Sequence, residues 1–366
     1  MSTTAALLSA GVVAFAGITM VLAPAVTKPT VPFGVRVPPE RTRAPSVTAA
    51  RHLYTVRAAA VAACCTTAAF LLPAGTSSWV SRLILLLELA AGLGCQQLAR
   101  RQVTAAKRAE QWFAGRRQVV VADTGWRADP PRFPGRWLLP ALAVIAVTTV
   151  AGVLRYPDLP AWLSITGGRL ASKSPASAFA PVIGMGYVTA LWTGLLLLAY
   201  RARPDLEAAD PAASAARYRV FLGRAAKAVL ALVACVNLSL LLSALRTWRL
   251  LPLSGDAAAL VLAPFAAGLI TVVIVLNRSG QGGFRLARLS AQPAAPGPAD
   301  RDDDRFWKAG LLYVNRGDPA LVVAARFGAG WTLNLANPAA WLVIAALIAA
   351  PAGIAAILTA LGNAPG

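Results

Sequence analysis

Apolar stretches of about 20 residues recur along this chain, and that length is what an α-helix needs to cross a hydrocarbon core of roughly 30 Å. Eight qualify, at approximately 4–26, 56–73, 83–98, 137–154, 179–200, 228–245, 257–276 and 339–358. The second and third are short and are joined by Gly75-Thr76-Ser77-Ser78, which reads as a tight turn between them. The first has no positive residues ahead of it and is longer than the apolar part of a typical signal peptide, so it reads as a span.

The connectors between these stretches are rich in arginine. The chain has 35 Lys+Arg against 15 Asp+Glu, a net charge of +20. Such a balance can mark a nucleic-acid binder, but here the basic residues sit in the gaps between apolar blocks and form no long basic face. Taking the gaps as alternating sides of a membrane puts 29 basic residues on one side (28–57, 100–136, 201–227 and 278–326) and 6 on the other. Cytoplasmic loops carry an excess of Lys and Arg. The split therefore places the four long connectors in the cytoplasm and both termini outside, and it predicts contact with anionic lipids at the cytoplasmic face. Composition agrees: 57% of residues are hydrophobic and 14% charged, where soluble domains are nearer a quarter charged. The use of Arg over Lys, with abundant Ala, Gly and Pro, suggests a bacterial source and hence the bacterial plasma membrane.

The expected fold is an all-α integral membrane helical bundle of about eight transmembrane helices. Residues 1–276 form a seven-span bundle with an external loop at 155–178. Residues 277–305 are a flexible cytoplasmic linker, 306–338 a small cytoplasmic β-hairpin-like element, and 339–366 the last span and an external C-terminus. Trp79, Trp137, Trp162, Trp248 and Trp341 lie near span ends, where indole rings favour the interface. Pro264 and Pro351 fall inside spans and predict kinks. In the first cytoplasmic gap, Pro32-Phe-Gly-Val-Arg-Val-Pro-Pro-Glu-Arg41 predicts a rigid, non-helical turn. Residues 100–115 read as a helix, either continuing the third span or lying on the lipid surface. Asp302-Asp303-Asp304 reads as a solvated acidic run. The β element is expected because short β-branched and aromatic runs alternate with turn residues between Phe306 and Leu335.

Chemistry-bearing patterns are few. Cys64, Cys65, Cys95 and Cys235 all lie in apolar blocks without metal-site spacing, and His52 is the single histidine, so no metal site and no cofactor are expected. No nucleophile–base pair is visible, so no catalytic residue is assigned. Glu88 stands inside the third span, where a carboxylate is costly. Either it takes part in a proton-coupled step or an ion pair with a neighbouring span, or it faces a polar gap or lies near the interface and is protonated. Asn237 and Ser239 in the sixth span are expected to hydrogen-bond between helices.

Two regions resemble a known family. Leu159-Pro160, Leu163, Lys173-Ser174, Phe179 and Pro181 resemble the LPxxIPxH…KS loop of bacterial membrane proteins related to SdpI, an immunity and signalling protein. Thr166 stands where that family has histidine. The stretch 32–41 is similar to long members of that family. The pattern W-K-x-G-x-x-Y-x-N…D-P…G-x-G-W-T-x-N, running from Trp307 through Asp318 and Trp331 to Asn334, resembles a small uncharacterised domain appended to them. The resemblance implies a non-enzymatic protein acting in immunity or signalling against membrane-active peptides or envelope stress. It implies a peptide or protein partner, with Asp158, Pro160, Thr166, Lys173, Asp318 and Trp331 as candidate functional residues beside Glu88. A secondary transporter or permease is the alternative.

Overall fold

The computed structural model describes residues 3–72, 78–115, 118–119, 130–165, 169–251, 258–289 and 299–362. Its long helices are α1 (Thr3–Val26), α2 (Pro45–Phe70), α3 (Ser78–Ala109), α4 (Leu139–Arg155), α5 (Pro175–Tyr200), α6 (Pro211–Thr247), α7 (Ala258–Ser279) and α8 (Pro338–Gly362). Seven of them, α1 to α7, are long and apolar enough to cross a membrane. The eighth expected span falls on α8, whose apolar stretch within the described side chains, Pro338–Ile354, is shorter. Large apolar side chains cover the outer faces, among them Leu86, Leu87, Val147, Leu342 and Ile348. Water would oppose that surface and a bilayer would not.

Several helices run past the apolar blocks. α6 has 37 residues, about 56 Å of helix at 1.5 Å per residue, nearly twice the hydrocarbon thickness. Hydropathy marks only the part that prefers lipid, while the backbone hydrogen-bond ladder continues into polar sequence. The same holds for α3, one unbroken helix to Ala109. The basic segment after residue 100 therefore continues the third apolar helix.

The chain divides into two compact units. The first takes Met1–Arg132, Arg201–Gly223 and Val273–Asn337. Here α1, α2 and α3 pack together. α3 buries Ser81, Glu88, Gly92, Cys95, Ala99 and Val103, a stripe at three-, four- and seven-residue spacing that marks one face of a helix. Small residues let the backbones approach: Met20 of α1 fills the space beside Gly92, and Gly17 leaves no room for a methyl group against Ala62 and Glu88. Tyr54 of α2 donates a hydrogen bond to the Met20 carbonyl at 2.9 Å.

Small strands complete this unit. β1 (Gln118–Val119) pairs in parallel with β4 (Ala299–Asp300). β5 (Trp307–Lys308) and β6 (Leu312–Tyr313) form one antiparallel hairpin, and β7 (Val322–Ala324) and β8 (Trp331–Leu333) another. An isolated bridge, Tyr313 to Asn334, joins the two hairpins. Asn334 is fully buried and uses its whole amide: Nδ2 donates to the Asn315 and Asp318 carbonyls at 2.9 and 3.0 Å, and Oδ1 accepts from the Asn315 and Ala336 N–H groups. Two-stranded ribbons are marginal alone; these gain support from the side chains described below.

The second unit takes Phe133–Tyr200, Arg224–Val272 and Pro338–Gly366. Asn237 of α6 donates to Thr189 Oγ1 of α5 at 3.0 Å and to the Ala141 carbonyl of α4 at 3.3 Å. Ser239 Oγ accepts from the Phe265 N–H of α7 at 3.2 Å. Both are the inter-helix bonds expected of these residues. The loop after α4 contains β2 (Trp162–Ile165) and β3 (Arg169–Ser172), an antiparallel hairpin that the turn-rich sequence does not announce. Leu163 of β2 is fully buried beside Leu159, Ala178, Ala244 and Trp248. Trp248 packs over Gly152 and donates to the Ala178 carbonyl at 3.1 Å, so here an indole anchors the hairpin to the helices.

Candidate functional site

A strongly polar construction lies in the first unit and begins with a glycine. Gly34 has φ +77°, and a Cβ there would strike the backbone of Gly310, itself at φ +72°. The two backbones can touch because neither residue has a side chain. This contact brings the 32–41 segment against the turn between β5 and β6. Arg100 of α3 ties both together, donating to the Gly34 carbonyl at 2.9 Å and to the Trp307 carbonyl at 3.4 Å. Gln96 and Gln97 do the same one turn earlier, to the carbonyls of Phe33 and Ala309 at 3.2 and 2.9 Å. Phe33 is buried with Tyr54 and Phe327 around it.

Two residues beyond Gly34, Arg36 enters a cluster of carboxylates. Its side chain is 7% exposed. Nη2 donates to Asp205 at 2.9 Å, Nη1 to Asp300 at 3.1 Å, and Asp303 lies 3.7 Å from Nε. The Arg36 backbone N–H donates to Asp304 at 2.9 Å. Around this centre, Lys107 of α3 pairs with Asp304 at 2.6 Å and Asp302 at 2.8 Å. Arg326, 4% exposed, pairs with Asp303 and Asp304 and stacks over the Trp307 ring at 4.9 Å. Lys28 reaches Glu207 at 3.5 Å and Asp205 at 3.7 Å. The acidic run expected to be solvated is therefore paired, because three basic side chains from distant segments converge on it.

Burial alone would destabilise each of these charges. For Arg36 that effect is overcome by Asp205, Asp303 and Asp300, which hold the guanidinium more firmly protonated than usual. Burial likewise opposes the Asp205 and Asp304 carboxylates. Arg36 and Lys28 for the first, and Arg326 and Lys107 for the second, more than offset it and hold both below the ordinary carboxylate range. Arg36, Asp205 and Asp304 are therefore ionised at neutral pH.

Beside the cluster is a cavity of about 290 Å³. Its wall mixes cations and anions: Arg36, Arg203 and Arg326 with Asp205, Asp300 and Asp318. Asp318 is buried, accepts from the Tyr313 hydroxyl at 2.8 Å and pairs with Arg203 at 2.9 Å. Burial raises the Tyr313 phenol above its ordinary value, so it stays the donor. Trp307, also in the wall, has a buried Nε1–H with no hydrogen-bond partner among the described residues. Among the described residues, the wall includes no Ser, Cys or His. A lining of this kind can hold a ligand through paired donors and acceptors.

The residues singled out from sequence fall in three places. Asp318 is in the cavity wall. Trp331 is in the same strand module, donating to Tyr218 of α6 at 2.8 Å with its ring 6.0 Å from Phe221. Asp158, Pro160 and Lys173 belong to the hairpin loop of the second unit. There Asp158 is exposed and makes a 3.4 Å pair with Arg155, and Lys173 donates to the Pro157 carbonyl at 3.0 Å over the Tyr156 ring. Thr166 lies outside the described residues. Glu88 faces no polar gap: it is fully covered by α1, α2 and α3. Among the described residues, no group of three or more His, Cys, Asp and Glu is placed to hold a metal ion.

Sequence reasoning missed Arg36, Lys107, Asp205, Asp300, Asp303 and Arg326. One signal was available: the acids of the basic connectors concentrate at 205–210 and 300–304, which only folding brings to the same arginine.

The model of a family of unknown function (DUF5808) matches residues 316–341. That segment supplies Gly317, Asp318, Pro319, Val323, Ala324 and Arg326 to the cavity wall. No curated protein and no solved structure matches the chain.

Proposed function

We propose that this chain is a non-enzymatic multi-pass protein of the bacterial plasma membrane, with about eight spans and both termini outside. In this reading it acts in SdpI-like immunity or signalling against membrane-active peptides or envelope stress. One observation carries it: connectors from all four of the gaps assigned to the cytoplasm by charge meet in the Arg36 cluster. Arg36 comes from the first gap, Lys107 from the second, Asp205 from the third and Asp300 to Arg326 from the fourth. Segments that form ion pairs with one another share one side of a membrane, which supports the grouping of these four connectors on one side; the 29-to-6 split assigns that side to the cytoplasm.

The cluster is tied directly to membrane helices, since Lys107 and Arg100 belong to α3 and Lys28 follows α1. A shift of α1 or α3 would strain buried ion pairs and reshape the cavity beside them, a suitable coupling from membrane to an inner partner. The 155–178 loop, with Asp158, Pro160 and Lys173, is the surface offered to an external peptide. Exposed Arg43, Arg101 and Arg108 are free to meet anionic headgroups.

The test is a deletion strain challenged with cationic membrane-active peptides and envelope stress. The expected result is a sensitivity restored by the intact gene and not by Arg36→Met. Unchanged sensitivity would overturn the role. An impermeant thiol reagent that labels Arg43→Cys, and not Ser174→Cys, in intact cells would overturn the orientation. The transporter reading retains one favourable observation, the buried Glu88 carboxyl.

A further inference from the structure

We propose that Glu88 is a proton-binding site of the α1–α2–α3 bundle, reached from the lipid-facing cleft between α1 and α2. The proposal is independent of whether the protein signals or transports.

The geometry begins on α3, where Glu88 belongs to the buried stripe and is 0% exposed. Neither carboxyl oxygen has a hydrogen-bond partner among the described residues. Its neighbours offer no compensating cation. α1 contains no titratable side chain at all. α2 offers Cys65, within electrostatic reach of Glu88, with Cys64 beside it. On α3 itself Arg82 is exposed and lies six residues away, roughly 9 Å along the axis, and Cys95 is two turns beyond. A carboxylate left alone in this setting is unfavourable, because neither water nor a counter-charge replaces its lost hydration. The stable form is the neutral acid. A metal ion would need several more oxygen ligands, and no second carboxylate joins Glu88 in a group of three or more His, Cys, Asp and Glu among the described residues. The exchangeable ligand is therefore a proton.

The route follows from a glycine. A Cβ on Gly17 would lie 2.7 Å from Glu88 Oε1 and 2.5 Å from the Ala62 Cβ, so the carboxyl occupies space that only glycine leaves open. Gly17 and Ala62 also line an open cleft of about 460 Å³ between α1 and α2, whose wall is apolar apart from Thr66 and Thr67. A single layer of the smallest side chains separates the acid from the cleft. Small fluctuations of α1 suffice to expose it there.

A hydrophobic carbodiimide tests both parts on the full chain in lipid nanodiscs. The reagent reacts with a protonated acid: the carboxyl oxygen bonds to the central carbon, the acid proton goes to one nitrogen, and an O-to-N acyl shift leaves a stable N-acylurea containing the whole reagent. At pH 7 dicyclohexylcarbodiimide should modify Glu88 at least tenfold more than the exposed Glu40 and Glu110, read by peptide mass spectrometry. A water-soluble carbodiimide should reverse that preference. Glu88→Gln should remove the adduct from its peptide. Ala63→Leu, at an exposed residue lining the cleft, should slow labelling at least fivefold while the protein elutes as wild type. An unmodified Glu88 beside labelled Glu40 and Glu110 would overturn the proton site, as would equal labelling by both reagents. Full-rate labelling in Ala63→Leu would overturn the cleft as its entrance.

Discussion

The two units use opposite means to hold helices and loops together. In the second, neutral groups such as the Asn237 amide, the Ser239 and Ser177 hydroxyls and the Trp248 indole make the polar contacts described between elements, beside apolar packing around Leu163 and Trp248. In the first, Arg36, Lys107, Arg326 and Lys28 are nearly buried and paired with six carboxylates. Buried ion pairs add little net stability over an apolar core, but losing one partner strands the others. The lesson of the comparison is that the second unit is tolerant and the first is brittle. A brittle junction reports a small displacement, which is what a sensing module requires.

That contrast can be broken by substitution. The largest effect is expected at Arg36: Arg36→Met leaves Asp205, Asp300 and Asp303 without their shared cation and should cost about 3 kcal/mol, the low end for a buried pair because Asp205 is about a third exposed. Limited proteolysis of 299–337 in detergent reads it, and unchanged resistance would sink the idea of a brittle junction. Next is Gly34→Ala, which places a Cβ at positive φ against Gly310 and should cost about 2 kcal/mol in the same assay. In the second unit Asn237→Leu should cost only about 1 kcal/mol, measured by denaturant titration of the full chain. A loss as large as that of Arg36→Met would erase the distinction.

The smallest effect concerns pH. Asp205 and Asp304 have their folded values depressed, so their contribution is complete above the ordinary Asp value of about 3.9 and declines as pH falls below it. Protease resistance of the first unit should be flat from pH 8 to 5 and drop in stronger acid. A midpoint near pH 6 would mean that other groups control the junction.

Much of the helical plan was legible because hydropathy over a window of helix length is a local property. The seven long apolar helices and the α8 stretch follow the expected blocks, and the Phe306–Leu335 run does contain short paired strands. The helix ends were less legible. α2 starts at Pro45 and α6 at Pro211, well before the apolar blocks, since polar residues continue a helix without changing its hydrogen bonding. The β2–β3 hairpin was hidden because its register depends on Leu163 being buried under Trp248, a contact 85 residues apart in sequence.

For the candidate site the balance is different. The chain's residues alone established that apolar helices dominate, that basic connectors alternate, and that Glu88 stands in a span, because each is a statement about neighbours in sequence. Only the tertiary structure decided that Arg36 meets Asp205 and Asp300, that Asp302 to Asp304 are paired, and that Glu88 is alone. Coulomb attraction and desolvation act through space, and the distances that set them exist only once segments such as those of Arg36 and Asp304, 268 residues apart, have been brought together.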